Sequence, residues 1–430
     1  MQIIKYPVRR EWKKLCRRPA LDFSSLEITV GNILKEVKEN GDEAVRRFTL
    51  MFDKSSIKSF EVPQQEITDA AGQLSDELKA AIGQAKENIE KFHSAQIGSV
   101  ELVETMPGVK CWRKNVAIEK VGLYIPAGTA PLFSTLLMLA IPARLAGCKD
   151  IILCSPPGKE KKVHPAILYV AQLTGITRVF KIGGAQAIGA MAYGTESIPQ
   201  VYKIFGPGNQ YVTCAKQLVQ KNGVAIDMPA GPSELAVFAD AAANPAFVAA
   251  DLLSQAEHGH DSQVMLVTDD TSVIDLVKAE IEKQIPTMPR REFAMKALEN
   301  SKAILVKDSN EAIDLLNEYA AEHLILSCSD PERIADQVIN AGSVFLGHYS
   351  PESVGDYASG TNHTLPTNGY ARAYSGVSID SFVKKITFQQ LSEQGLQAIG
   401  ETVERMAEAE GLEGHKAAVS IRLNEIRARS

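Results

Sequence analysis

From Val121 onward the chain alternates short β-branched runs with Ala-rich stretches of helical spacing, and this limits the available folds more than any other feature. VGLYIP, DIILCSP, RVFKIGG, VYKIFGPG and VAIDMPAGPS read as strands, with STLLMLAIPARLAG, HPAILYVAQLTG, AQAIGAMAYG and NQYVTCAKQLVQ as helices between them. After VFADAAANP a second series follows, SQVMLVTDD, KAILVKD, HLILSCSD and GSVFLGHY, again with helices between. Strands separated by helices form βαβ crossovers, and these build a parallel sheet covered on both faces. The pattern predicts two similar Rossmann-like, doubly wound α/β units without a sequence-level repeat. Before them, Ser25 to about Lys91 reads as amphipathic helices broken at Gly41, with His93 solvated at a charged helix end. The first 20 residues read as a basic arm, and the tail from about Ser378 as helical and charged.

A chain of 430 residues exceeds what one core serves, which agrees with at least two domains. With 45% hydrophobic and 23% charged residues it can bury those cores. The net charge of −6, from 46 basic and 52 acidic residues, argues against a nucleic-acid partner. Arg9-Arg10 and Lys13 to Arg18 form only a small basic arm, read as solvated or as a dimer contact. Six scattered cysteines without a CxxC fit a reducing compartment and argue against both a disulfide framework and a structural zinc knuckle. MQIIKYPVRREWKK has no apolar signal region, and no 18-residue uncharged apolar run occurs, so a soluble cytoplasmic protein is expected.

Against this regular background the stretch LLSQAEHGHD stands out. Asn244 as N-cap, Pro245 at the first helical position and Gly259 as a stop predict a helix from Pro245 to His258. Its apolar stripe runs through Val248 and Leu252, then presents Gln255 and His258 on the same face. These two read either as hydrogen-bonded core residues or as ligands. Glu322 and His323 precede the strand LILSC and would supply two general bases of different strength. Asp356, in the glycine-flanked loop VGDYASGTNHTLPT with His363, is a turn residue or a carboxylate aimed at a metal. His415 follows Gly414 at a helix start, with Glu410 shortly before it. Gln, His, Asp and His together would make a set of two nitrogens and two oxygens suited to zinc or a similar divalent ion.

Gly183-Gly184-Ala185-Gln186 and Gly206-Pro207-Gly208-Asn209 each follow a strand and open a helix, where doubly wound sheets bind nucleotides. Tyr124 ends another strand and reads as a cofactor contact or a core tyrosine. Neither turn completes GxGxxG, because Tyr211 takes the third position after Gly206 and Gly208, so plain βα turns remain open as a reading.

The strings GLYIPAGTAPLFSTLLMLAIPA, GGAQAIGAMAYGT, IFGPGNQYVT, DMPAGPSE, DLLSQAEHG, AAEHLIL, VGDYASGTNHTLPT and EGLEGHKAA stand in the order and about the spacing of the histidinol dehydrogenase family. From about Glu27 nearly the whole chain resembles it. The resemblance implies a zinc-dependent, NAD-linked oxidation of L-histidinol through L-histidinaldehyde to L-histidine, the last step of histidine biosynthesis. It implies one Zn²⁺ per subunit held by Gln255, His258, Asp356 and His415. Glu322 and His323 match the catalytic pair, with His323 taking the alcohol proton and Glu322 activating water on the aldehyde. Ser233 and Glu410 join Gln255, His258, His323, Asp356 and His415 as substrate contacts, Glu410 facing the amino group. Tyr124, Gln186 and Asn209 match the NAD positions.

By the same resemblance the chain is expected to form a homodimer whose C-terminal segment completes the partner's site, so that Glu410 and His415 act in trans. The expected division is an arm over 1–20, a discontinuous α/β domain of 21–123 and 235–377 carrying most zinc and catalytic residues, an inserted Rossmann-like NAD domain over 124–234 and a swapped helical tail over 378–430. One departure is Ala127-Gly128, where the family commonly has Gly-Gly. Three other readings remain: the same scaffold acting on another small alcohol, a zinc hydrolase with no nicotinamide, and a non-catalytic α/β binding protein.

Overall fold

The expected strand and helix alternation closes into two parallel sheets in the computed structural model, which describes residues 1–18, 23–127, 131–158 and 160–429, with no account of the Phe23 and Ser24 side chains. Gly128 of the Ala127-Gly128 departure therefore lies outside the described residues. In chain order the strands are β1 (Gln2–Lys5), β2 (Leu102–Met106), β3 (Val109–Ala117), β4 (Lys120–Tyr124), β5 (Asp150–Ser155), β6 (Arg178–Lys181) and β7 (Lys203–Phe205). They continue with β8 (Ala225–Ile226), β9 (Glu234–Ala239), β10 (Gln263–Thr268), β11 (Lys302–Leu305), β12 (His323–Ser327), β13 (Ser343–Leu346) and β14 (Val383–Leu391). One sheet has the order β6-β5-β4-β7-β8, the other β1-β11-β10-β9-β12-β13, and every neighbouring pair in both is parallel. From β4 to β8 and again from β9 to β13 the strands lie third, second, first, fourth, fifth, so the same winding occurs twice.

Burial explains why these runs become strands. Every residue of β9 and β10 is buried, as continuous apolar strands between two helix layers must be. Side chains alternate between faces, so Ile152 and Phe180 join one apolar cluster of the five-stranded sheet while Leu153 and Val179 join the other. Each buried Leu, Ile or Phe stabilises the fold by roughly 1.5–3 kcal/mol. Phe205 at the end of β7 stacks on Phe382 with ring centroids 4.0 Å apart.

Three expectations change. Gln2 to Lys5 are not arm: they pair with Lys302 to Leu305 as an edge strand, and the helix Arg9–Leu15 buries Trp12. Four residues are too few for a recognisable alternation. His93 is buried rather than solvated, its Nδ1 2.9 Å from the Ile89 carbonyl oxygen, because Asn362 covers its other side. Val383 to Leu391, read as helical, is a strand paired antiparallel with β3 along nine residues, with β2 beyond, and the helices Glu393–Ala409 and Glu413–Arg429 come only after it.

The chain divides into two compact units, Met1–Gln96 with Ile118–Phe382, and Ile97–Ala117 with Val383–Ser430. Both parallel sheets belong to the first, and the antiparallel sheet with the last two helices to the second. Among the described residues no helix is long and apolar enough to cross a membrane.

Candidate active site

Strand β8 leaves the five-stranded sheet at its carboxyl end, and the short segment 227–233 leads directly into the amino end of β9. The carboxyl edge of one sheet thus meets the amino edge of the other. A cavity of about 200 Å³ lies where they meet, with Ser134 and Gly206 to Gly208 on one side and Ser233, Gln255, His258, Glu322, His323 and Asp356 on the other. His323 opens β12, in register with Leu235 of β9 and Ser343 of β13. The Glu322–His323 pair therefore sits at amino ends of strands, opposite to the usual ligand edge of a doubly wound sheet.

Local sequence sets each side chain. The helix Pro245–Ala256, capped by the Asn244 side chain, ends slightly earlier than expected, so Gln255 lies in its last turn, fully buried, and His258 just beyond it. Asp356 is not in a loop: Glu352–Tyr357 is a short helix, which places Glu352 and Asp356 four residues apart on one face. Gly355 allows this, because a Cβ there would come within 2.5 Å of the Phe345 ring.

These groups converge on His323. Its Nε2 is 3.4 Å from Asp356 Oδ1, and its Nδ1 is 3.3 Å from the Glu234 carbonyl oxygen, 3.7 Å from Glu322 Oε2 and 3.8 Å from Glu352 Oε1. Nδ1 faces the Glu234 carbonyl, which only accepts, and also the Gln255 amide nitrogen at 3.4 Å, while Nε2 faces Asp356 toward the cavity and is the nitrogen placed for proton transfer. Glu322 Oε2 accepts from the Glu234 N–H at 2.9 Å and from Gln255 Nε2 at 3.3 Å. The Asp356 carbonyl is 2.7 Å from His363 Nδ1, and His363 Nε2 is 2.9 Å from Thr135 Oγ1.

Burial pushes Glu322 up to about 8, against the opposing pull of His323. Glu352 is likewise driven up, by burial first. Burial alone would lower His323, but Glu352, Glu322 and Asp356 outweigh it and hold the imidazole up to about 10. Three carboxyl groups thus crowd one imidazole, and a cation bound among them would favour their deprotonated forms.

The residues fit a divalent cation. One donor atom from each of His258, Glu352 and Asp356 can be chosen so that all lie within 4.8 Å of one another. Gln255 Oε1 and Glu352 Oε2 are buried without any hydrogen-bond partner. Imidazole nitrogen with carboxylate and amide oxygens is a donor set for zinc and similar borderline ions. Glu352 escaped the sequence reading, although its spacing of four from Asp356 was available once that segment is taken as helix. Glu410 and His415 belong to the second unit, both exposed, at the turn between its two helices and at the start of the second.

The carboxyl edge of the five-stranded sheet has a different chemistry. Tyr124 ends β4, is buried, has its hydroxyl pushed up to about 12 by burial, and accepts the Gly184 N–H at 3.1 Å. Gln186 is wholly buried and neither its amide oxygen nor its nitrogen has a partner, which fits a hydrogen-bonding ligand such as a nucleotide at the adjoining helix start. Asn209 caps the helix Gln210–Lys221 through Oδ1, which leaves its amide nitrogen to offer. Gly206, at φ +127°, passes so close to the Tyr124 carbonyl that no Cβ could be placed there.

Comparison with known proteins agrees along the whole chain. A family model described as histidinol dehydrogenase matches residues 16–423. A protein of Bacteroides thetaiotaomicron named histidinol dehydrogenase is 60% identical over 427 residues, 99% of this chain and 100% of that one. One of Yersinia pestis with the same name is 52% identical over 417 residues, 96% of this chain and 93% of that one. The crystal structure of histidinol dehydrogenase from Elizabethkingia anophelis is 53% identical, with a TM-score of 0.97 over 99% of each chain.

Proposed function

Because the chain belongs to the histidinol dehydrogenase family, we propose that it oxidises L-histidinol through L-histidinaldehyde to L-histidine, with NAD as hydride acceptor and one Zn²⁺ per subunit. The observation that carries this reading is the convergence of Gln255, His258, Glu352 and Asp356 beside Glu322 and His323, with buried oxygens left for a cation.

When bound, zinc would supply a fixed positive charge that anchors the substrate, and NAD would take a hydride in each half-reaction. Gln255, His258 and Asp356 would hold the zinc in this unit, and the proximity of Glu352 to His258 and Asp356 supports it as a further donor. His323, held protonated by its carboxylates, would become neutral once a cation beside Asp356 and Glu352 offsets them, and its Nε2 would then take the hydroxyl proton as the carbinol carbon gives up its hydride and becomes the aldehyde. Glu322 has one oxygen tied by the Glu234 N–H and Gln255, so its other oxygen accepts a proton from the water that adds to the aldehyde carbon. The hydrate then loses the second hydride and a proton to give the carboxylate. Ser233 lines the same cavity as a substrate contact, and Tyr124, Gln186 and Asn209 would meet NAD.

His415 as a zinc ligand and Glu410 as the partner of the substrate amine would come from a second copy in a homodimer, for which their exposure within this chain's second unit is the support. Scattered free thiols suit a cytoplasmic setting. The test is direct: zinc-loaded protein with histidinol and NAD should form two NADH per histidinol. No NADH with zinc restored would overturn the reading, and hydrolysis without NAD would replace it with a zinc hydrolase. NADH from another small alcohol alone would change the substrate.

A further inference from the structure

Arg18 lies in the basic N-terminal stretch that the sequence assigns to solvent or a dimer contact, yet its side chain is only 10% exposed. Its Nε and Nη2 donate to the two oxygens of Glu234, both at 2.8 Å, and Nη2 also donates to the Tyr319 carbonyl at 2.7 Å. The guanidinium lies over the Tyr319 ring, 3.9 Å from its centroid. Glu234, 1% exposed, further accepts the Asn368 N–H at 2.7 Å. A carboxylate buried this deeply is tolerable only when paired.

The backbone of Glu234 touches both members of the catalytic pair. Its N–H holds Glu322 Oε2 at 2.9 Å, and its carbonyl oxygen is 3.3 Å from His323 Nδ1. The Tyr319 carbonyl that Arg18 also grips lies three positions before Glu322, across Ala320 in the left-handed conformation at φ +54°. One guanidinium therefore ties the start of β9 to the approach of β12. Arginine is required because a lysine ammonium cannot span both carboxylate oxygens and the carbonyl in one plane.

We propose that Arg18 is a positioning residue which, through the Glu234 backbone, fixes the direction in which Glu322 offers its free oxygen to water. The inference rests on the reaction proposed above. Glu322 depends on the Glu234 backbone more than His323 does: besides that N–H, Oε2 accepts from Gln255, whereas the imidazole is flanked by Gln255, Glu352 and Asp356.

The experiment compares zinc-loaded wild type, Arg18→Lys and Arg18→Met, following NADH separately from histidinol and from histidinaldehyde, with zinc content measured in each. In Arg18→Met, aldehyde oxidation should fall by about 10²-fold in kcat, with a smaller loss in the alcohol step, KM nearly unchanged and zinc retained. Arg18→Lys should move the ratio of the two steps the same way, by about tenfold. Folded, zinc-loaded variants in which the two steps fall equally, or neither falls, would overturn the assignment. Should Arg18→Met not fold, the ratio in Arg18→Lys decides alone. Wild type that makes no NADH from histidinol would strike the reaction itself, not the role of Arg18.

Discussion

The two parallel sheets share one winding but offer the cavity opposite edges. Along the five-stranded sheet, the helices Gly184–Tyr193 and Gln210–Lys221 begin just beyond the carboxyl ends of β6 and β7, presenting the positive ends of their dipoles on that side. Along the six-stranded sheet, the helix Pro245–Ala256 ends at the cavity, with Gln255 in its last turn and His258 just after, and Ser309–Tyr319 ends just before Glu322. Helix carboxyl ends carry negative partial charge and favour cations. The same topology is thus suited to a pyrophosphate at one edge and to a metal ion and an amine at the other. What decides is the short link 227–233, which joins a carboxyl edge to an amino edge without a crossover helix.

If the amino edge is the cation side, the largest effect should come from its ligands. His258→Ala should weaken zinc binding by at least about 10²-fold and lose turnover with it, read by metal analysis and NADH formation. Retention of zinc at wild-type affinity would separate this edge from the metal. Glu322→Gln should slow aldehyde oxidation by about 10²- to 10⁴-fold while touching the alcohol step less, and equal losses would remove Glu322 from water activation.

The carboxyl edge gives a smaller effect of a different kind. Gln186→Leu should raise KM for NAD by about tenfold and leave KM for histidinol alone. The same change removes two unpartnered buried amide atoms, so the free protein should gain roughly 1–3 kcal/mol in denaturant unfolding. A less stable variant with unchanged NAD affinity would mean that Gln186 is a packing residue.

The smallest effect belongs to Asp251, one turn before Gln255, which burial pushes up to about 7. The folded state then binds more protons than the unfolded one between the ordinary value of 3.8 and about 7, so this group's contribution to stability falls as pH rises through that window. Asp251→Asn should therefore stabilise the protein by roughly 1–3 kcal/mol at pH 8 and hardly at pH 4, read from unfolding curves at both. A gain independent of pH would point to packing rather than to the charge.

How much of this could be read from the chain depends on how local the signal is. The alternation from Val121 to Tyr349 reveals both windings because strands of period two and helices of period 3.6 leave their mark within a few residues. Asn244 and Pro245 mark a helix start, and spacing alone puts Gln255 on its buried face. β1 and β14 were missed, since one is four residues at an edge and the other carries Lys384 and Lys385 in an exposed strand.

By itself, then, the sequence determined the alternating strands and helices from β4 to β13, their faces and the residue types able to hold a cation or move a proton. Only the tertiary structure decided that Arg18, Glu234 and Glu322 meet, that Glu352 joins His258 and Asp356, and that the Glu322–His323 pair sits at an amino edge. Those meetings join residues up to 304 positions apart along the chain. No local periodicity records such a distance; it is fixed when the two sheets bury their faces and bring one set of strand ends against the other.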